Sequence, residues 1–373
     1  MKKIVILRSN QVNSDSRAEK YLSVLDEKNI DYKVFGWDRN DTGAERKNTT
    51  YYRRKVGYVV GGLKAAKNRL YWFNFVIKSL RKMKEKPEFI HACDLDCAFP
   101  AVLYKILFNK KVFVLFDVFD WFSSDMPENL NPLIRKSILW MEHLCLKHAD
   151  KLFICEEERR VQIPDDHLYD ISIFPNIPMI ESEEGIFVKK DEYQFNNGKP
   201  TLSYVGWFGN GRSLAELFEL ASTGKYNLLV AGYGNDDLVA KCNEANKLDN
   251  VRYFGKVDYR TGLNIQYNAD IVYAIYCKIS NNHIYAAPNK YYEAMFLGKP
   301  LLTTSGIIVA DKVRKNNTGY DIEESKDDLL NWIDSLDKED IRVKGENARK
   351  LWVEKYCTYT HDFLNTEYME LIK

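Results

Sequence analysis

The sequence predicts an α/β protein built from two doubly wound domains, each with a parallel sheet. Short apolar runs alternate with helix-like stretches along most of the 373 residues. The runs are continuous rather than alternating in polarity, which is typical of parallel strands covered by helices on both faces. A Pro-Asn-Ile-Pro turn at 175–178, followed by an acidic stretch without a clear period, separates the two series.

The predicted strands are the apolar runs, and the predicted helices lie between them. In the first series the strands fall at 4–7, 32–37, 89–92, 112–116 and 151–155. In the second series they fall at 201–205, 227–231, 251–254, 271–275 and 300–303. Helical patterns fall at 16–27, 132–147, 214–221, 236–248 and 289–297. We predict an N-terminal domain over 1–178 and a C-terminal domain over 179–356, with a helix over 357–373 packing back on the first domain.

Composition excludes several classes of protein. The chain is 45% hydrophobic and carries a net charge of +1, so it is neither disordered nor a polycation that binds nucleic acid. Seven cysteines without paired spacing predict reduced thiols in a cytoplasmic protein. No apolar run approaches the roughly 18 residues of a membrane span, and the first residues lack the apolar core of a signal peptide.

The charge is unevenly distributed. Residues 46–86 contain thirteen basic residues and one acidic residue, so this basic window carries +12 and the remainder −11. Aromatic residues are interleaved with the cations, and residues 60–84 have helical spacing. The apolar positions of this predicted helix are Leu63, Leu70, Phe73, Ile77 and Leu80. The window predicts either an interfacial segment on anionic lipid or a helix packed on its own sheet with a solvated basic face.

The segment at 287–300 is the most informative for chemistry. Asn289 and Lys290 stand at a predicted helix start, where a cation and free backbone N–H groups favour an anion. Glu293, one turn later, has the oxygens to accept hydrogen bonds from a diol such as a ribose. A capped surface helix with a solvated Lys and Glu is the alternative.

This segment resembles the donor-site motif of the GT-B glycosyltransferases of family 4, in the variant Pro-Asn-Lys-x-x-Glu-Ala-Met-x-x-Gly-x-Pro. Residues 7–39 resemble the opening of bacterial members that build surface polysaccharides. Residues 90–96, 115–120 and 174–178 resemble acceptor-domain strand ends and the interdomain linker, and 204–212 resembles the phosphate loop. The resemblance implies two facing Rossmann-like domains with a cleft between them, and sugar transfer from a nucleotide diphosphate with retention of configuration.

The resemblance also implies residue roles at the donor. Arg212 and Lys290 would stabilise the charge that develops on the leaving diphosphate, where fixed cations act. Backbone or side-chain contacts to the donor would come from Gly206, Gly209, Gly211, Val257, Asn289 and Glu293. The chain departs from the family pattern twice. Trp207 stands where an arginine is common, and Tyr285 stands where the first glutamate of an E-x7-E pattern is expected.

Asp117 and Asp120 end an apolar run and are predicted to project at the carboxyl edge of the first sheet, where α/β ligands bind. Asp117 matches the position where relatives place a His or Asp near the reacting sugar; loop capping is the alternative. Asp117 is thus the third predicted catalytic residue, beside Arg212 and Lys290. The predicted acceptor-binding residues are Arg8, Asp15, Arg17, His91, Asp94 and Asp120, and surface ion pairs or a structural histidine are the alternatives. Asp94-Leu-Asp96 spells D-x-D, but we interpret it as helix capping and acceptor contact rather than a metal site.

The sequence therefore predicts a retaining glycosyltransferase that needs no metal or other cofactor. It would use a UDP or GDP type of nucleotide-sugar donor and a lipid-linked glycan acceptor. The basic window, residues 46–86, would hold it peripherally on the cytoplasmic face of an anionic membrane. A nucleotide-sugar epimerase of the same fold and a non-catalytic sugar-binding relative are the alternatives.

Overall fold

The structure is a computed structural model that describes residues 2–56, 62–127, 129–180 and 182–373. The chain divides into two compact units. Unit 1 comprises Met1–Pro175 together with Thr360–Lys373, and unit 2 comprises Asn176–Tyr359. Among the described residues, no helix is both long enough and apolar enough to cross a membrane.

Unit 1 contains a sheet of seven parallel strands in the order β3-β2-β1-β4-β5-β6-β7. Its strands are β1 Ile4–Arg8, β2 Tyr32–Asp38, β3 Thr49–Arg53, β4 Phe89–Cys93, β5 Phe113–Val118, β6 Lys151–Ile154 and β7 Ile171–Ile173. Its helices within 1–175 are α1 Ser16–Glu27, α2 Gly62–Lys82, α3 Leu95–Leu107 and α4 Pro132–His148. The strand order reverses between β1 and β4, so the carboxyl ends of these two strands flank the switch point of the sheet.

Unit 2 repeats this architecture with six parallel strands in the order β10-β9-β8-β11-β12-β13. Its strands are β8 Thr201–Phe208, β9 Asn227–Gly234, β10 Val251–Tyr253, β11 Ile271–Tyr273, β12 Leu301–Thr304 and β13 Gly319–Ile322. Its helices are α5 Leu214–Leu220, α6 Asp236–Ala245, α7 Tyr259–Asn268, α8 Asn281–Ile284, α9 Asn289–Leu297, α10 Ile308–Asn316, α11 Lys326–Asp334 and α12 Lys338–Leu351. Here the switch point lies between β8 and β11.

After α12, the helices α13 Tyr359–Phe363 and α14 Met369–Ile372 follow, and residues 360–373 belong to unit 1. The Phe363 ring stacks on Phe174 with centroids 4.6 Å apart. Lys2 Nζ donates to the Leu371 carbonyl at 2.6 Å, and Tyr368 is fully buried. Unit 1 is thus completed by two segments that are separated in sequence by the whole of unit 2.

Helix α2, in the basic window, packs on its own sheet. Trp72, Phe73, Val76 and Leu80 are buried, and Trp72 stacks on Trp37 with ring centroids 5.6 Å apart. The predicted apolar face is therefore wrong at Leu70, which is 63% exposed, because the buried stripe runs through Trp72 and Val76 instead. Residues 57–61 of the window, and the Leu63 side chain, lie outside what is described.

Candidate functional site

The segment at the end of β8, residues 206–211, lies at the switch point of unit 2, and we call it the glycine loop. Gly206 has φ +147°, and a Cβ there would lie 2.9 Å from Lys290 Nζ. Gly211 has φ +73°, and a Cβ there would lie 2.7 Å from Cε1 of His283. Both backbone conformations therefore favour glycine, and at Gly211 the His283 ring and the Ile279 side chain also leave little room for a Cβ. Gly209 lies between them, with the Trp207 ring beside it.

Two cations meet this loop, and neither forms an ion pair with a carboxylate among the described residues. The guanidinium of Arg212 lies over Tyr276, with Cζ 3.8 Å from the ring centroid, and its Nη1 is buried without a hydrogen-bond partner. Lys290 Nζ lies 4.9 Å from the centroid of Tyr204. Both side chains are half-buried, and a buried N–H group without a partner is costly, so this pair of cations indicates a site for an anion.

The environment of Lys290 sets its charge. The pKa of this ammonium is lowered to about 8, chiefly by burial, while Glu293 opposes the shift and the positive charge of Arg212 adds to it. Since that pKa still lies above 7, Lys290 is mostly protonated at neutral pH. The ammonium can therefore attract an anion at neutral pH, and without a ligand it loses its charge as the pH rises through about 8.

Glu293 lies on α9, one turn after Lys290, and is almost fully buried. The Tyr259 hydroxyl donates to Oε1 at 3.2 Å, and Gln266 Nε2 lies 3.3 Å from Oε2. Each carboxylate oxygen thus has one donor, which fixes its orientation and leaves capacity to accept from a diol. Asn289 opens α9 after Pro288, and Val257 lies half-buried in the loop between β10 and α7.

An exposed aromatic pair stands at the same carboxyl edge of the sheet. The rings of Trp207 and Tyr233 meet edge to face, with centroids 5.3 Å apart, and both are nearly half exposed. Lys256 Nζ lies 4.6 Å from the Tyr233 centroid. Trp207 stands where an arginine is expected and presents an aromatic ring instead. The positive charges at the glycine loop therefore come from Arg212, which follows it, and from Lys290 on α9.

At the carboxyl edge of unit 1, Arg8 joins two carboxylates. Its Nε lies 2.5 Å from Asp15, and its Nη1 lies 2.5 Å from Asp94. Asp94 occupies the position before α3, but its side chain makes no capping bond to the helix. Instead Oδ1 accepts from the backbone N–H of Phe119 at 2.9 Å, which corrects the predicted capping role. Burial raises the pKa of Asp94 to about 6, against the pull of Arg8.

Asp117 differs from the expectation that it projects toward an acceptor. Its carboxylate is fully buried, accepts from Arg17 Nη2 at 2.7 Å and from the Tyr21 hydroxyl at 2.8 Å, and lies 3.3 Å from His91 Nε2. The other ring nitrogen of His91 lies 3.1 Å from the Tyr368 hydroxyl. Burial alone raises the pKa of Asp117, but Arg17 and His91 hold it well below its ordinary value. These side chains form a buried polar core because α1 closes over the end of β5.

The structure thus separates the predicted residues of unit 1 into two groups. Arg17, His91 and Asp117 are buried together, whereas Arg8, Asp15 and Asp94 form the ion-pair cluster beside them. Asp120 stays exposed and pairs with Arg159 at 3.0 Å. His91, Asp117 and Cys93 also form a group with metal-ligand chemistry, but Arg17 already neutralises the carboxylate and burial raises the pKa of the thiol.

Sequence reasoning missed the partners of the cations and of Glu293. Tyr259 and Gln266 lie on α7, while Tyr276 and His283 follow β11. The pairing of β11 with β8 is what brings the last two to the glycine loop. A rule that residues after neighbouring parallel strands converge at the switch point would have pointed to this segment.

No protein-family model matches the chain, and no curated protein sequence is significantly similar to it. Solved structures are similar over nearly the whole chain. Sucrose-phosphate synthase from Thermosynechococcus elongatus has a TM-score of 0.71 at 15% identity, covering 99% of both chains. Anabaena HepE in complex with UDP has a TM-score of 0.67 at 12% identity, covering 98% of this chain and 100% of that one. The lipopolysaccharide outer core galactosyltransferase WaaB has a TM-score of 0.63 at 16% identity, covering 99% of both.

These similarities, with two parallel-sheet α/β units, confirm the predicted fold class. The chain has the GT-B fold.

Proposed function

We propose that this protein is a glycosyltransferase that moves a sugar from a nucleotide diphosphate sugar to a hydroxyl of an acceptor. The observation that carries the proposal is the placement of Arg212 and Lys290 at one glycine loop beside a sheet switch point, with the buried Glu293 one turn after Lys290. The two cations suit a diphosphate, and the carboxylate held by Tyr259 and Gln266 suits a ribose. UDP and UDP-glucose bound to HepE, at the same fold, favour a UDP type of donor over the GDP type.

The chemistry follows from where charge develops. As the bond between the anomeric carbon and the diphosphate oxygen breaks, negative charge grows on the leaving group, and preorganised cations lower the energy of that state. Arg212 and Lys290 would supply this charge in place of a metal ion. The acceptor oxygen forms the new bond to the anomeric carbon, and its proton passes to the departing diphosphate. Retention of configuration, hexosyl transfer and membership of family 4 are proposed from the motif at 287–300.

We assign acceptor binding to unit 1, where Arg8, Asp15 and Asp94 cluster at the carboxyl edge of the sheet. Because Asp117 is buried, it would act by holding Arg17 and His91 in position rather than by touching the sugar. The proposed acceptor is a lipid-linked glycan of a bacterial surface polysaccharide, such as capsule or O-antigen. The protein would work from the cytoplasmic face of the membrane.

Product analysis tests the proposed function. The protein is incubated with UDP-, GDP-, ADP- and dTDP-sugars, each with and without a lipid extract containing glycan acceptors, and the nucleotide products are separated. We expect acceptor-dependent release of one nucleoside diphosphate and slow hydrolysis without acceptor. A new nucleotide sugar formed from donor alone would instead identify an epimerase. Binding of a nucleoside diphosphate with neither transfer nor hydrolysis would identify a non-catalytic relative.

The basic window gives a prediction about membranes. Lys64, Lys67 and Lys78 of α2 are exposed beside Leu70 and Tyr71. Replacing the three lysines by glutamine is expected to weaken binding to anionic vesicles by about 100-fold, since each cation near the surface contributes about 1 kcal/mol. Vesicle co-sedimentation with phosphatidylserine measures this, and added salt releases the wild type.

A matched control replaces three exposed lysines of unit 2, namely Lys241, Lys247 and Lys350. The control is expected to bind vesicles like the wild type. Equal losses in both variants would show that only total charge matters, and no loss in either would remove the membrane from the proposal.

A further inference from the structure

His283 is fixed against the glycine loop of unit 2. Its Cε1 occupies the space that a side chain at Gly211 would need, 2.7 Å from the Cβ position. The loop is tied to the segment that carries His283, because the Cys277 N–H donates to the Gly211 carbonyl at 3.0 Å. Ser213 Oγ also lies 3.2 Å from Cys277 Sγ. The segment that carries the imidazole is therefore held against the glycine loop by these contacts.

The hydrogen bond of His283 defines its tautomer. Nδ1 lies 2.7 Å from the carbonyl oxygen of Cys277. A carbonyl oxygen only accepts, so Nδ1 must carry the hydrogen. In the neutral ring Nε2 then carries the lone pair, and among the described residues it has no hydrogen-bond partner. The Nε2 lone pair of His283 is therefore available to accept a hydrogen bond from a ligand.

This acceptor and the Arg212 guanidinium contact the same aromatic ring. The Tyr276 ring carries the Arg212 guanidinium at 3.8 Å and meets the His283 ring edge to face at a centroid distance of 6.1 Å. A diphosphate held by Arg212 brings its attached sugar to the same neighbourhood. A lone pair repels a phosphate oxygen but accepts from a hydroxyl, so the neutral imidazole suits the sugar rather than the diphosphate.

We propose that Nε2 of His283 accepts a hydrogen bond from a hydroxyl of the donor sugar and thereby contributes to the choice of sugar. This rests on the proposed function, because it requires a nucleotide sugar at the glycine loop. His283 is then a specificity-determining residue of the donor site, and Cys277 is the positioning residue that keeps its lone pair directed away from the backbone.

The test compares each nucleoside diphosphate with its sugar conjugates by calorimetric titration. UDP, GDP, ADP and dTDP are titrated alone and as conjugates of glucose, galactose, mannose and N-acetylglucosamine, and the conjugate that binds the wild type most tightly is used. His283→Asn keeps a donor for the Cys277 carbonyl but has no group at the Nε2 position. We expect it to bind that conjugate about fivefold more weakly, as for one lost hydrogen bond, while binding of the diphosphate alone is unchanged.

A second variant guards against a merely structural effect. His283→Gln extends an amide oxygen toward the Nε2 position and is expected to recover part of the conjugate affinity. If both ligands weaken equally in His283→Asn, or if neither changes, the inference is overturned while the donor site stands. If the wild type binds none of the nucleotides, the proposed function fails, and the proposed role of His283 fails with it.

Discussion

Replacing Arg212 by methionine is expected to lower the turnover number by about 100- to 1000-fold, which is the usual cost of removing one preorganised group that stabilises a developing anion. The guanidinium lies on Tyr276 with a buried Nη1 that has no hydrogen-bond partner, so its capacity to bind remains available for a ligand. Methionine keeps an apolar contact with the ring. The expected loss is therefore in chemistry and diphosphate affinity, with the free energy of unfolding unchanged or slightly increased.

Steady-state kinetics with the natural donor, together with thermal unfolding, measures both quantities. Arg342→Met is the matched control, because Arg342 is exposed on α12 and pairs with Glu339 and Glu346 of the same helix. The control should retain full turnover. Full turnover in the Arg212 variant would remove this residue from the proposed site, and a large fall in its unfolding temperature would show that it is structural.

Replacing Arg17 by methionine is expected to destabilise unit 1 by about 3–5 kcal/mol, because the change leaves the carboxylate of Asp117 buried without its cation. Arg17 holds this carboxylate with Nη2 at 2.7 Å and also donates to the Phe174 carbonyl through Nη1. The double variant with Asp117→Asn should lose less than the sum of the two single variants, since the two residues are coupled.

The pH dependence of this loss has a definite sign. Asp117 has a depressed pKa in the folded wild type, so its contribution to stability is present above its unfolded pKa and is lost as the pH falls through the folded one. In Arg17→Met the carboxylate becomes easier to protonate. The difference in unfolding free energy between wild type and variant should therefore be largest near neutral pH and shrink in acid. Urea unfolding at several pH values measures it, and a constant difference would contradict the assignment.

The fold class was predictable because buried parallel strands are continuous apolar runs. The strands missed were β3, β7 and β13, which lie at sheet edges and carry mixed polarity, as in the Thr-Thr-Tyr-Tyr-Arg of β3. An edge strand is paired on one side only and is partly exposed, so its sequence is not uniformly apolar. Leu70 was misplaced for a related reason, since helical spacing defines faces but not which face the sheet covers.

The candidate site was predictable where its residues are close in sequence. Lys290 and Glu293 share α9, and Arg212 follows the glycine loop directly. The burial of Asp117 could not be predicted, because Arg17 and Tyr368, which help to enclose it, lie far from it in the chain. Tyr259 and Gln266 were missed for the same reason: contact between α7 and α9 is a property of packing rather than of either segment.

The return of residues 360–373 to unit 1 has a consequence for the order of events during synthesis. The ribosome makes this segment after all of unit 2. The contacts of Phe174 with Phe363 and of His91 with Tyr368 can therefore form only after unit 2 has been translated. Unit 2 is contiguous in sequence and can fold as soon as it emerges. The N-terminal half of this chain is thus the last to be completed, and until then it lacks the aromatic side chains of Phe363 and Tyr368 that pack on Phe153, Phe174 and Phe89.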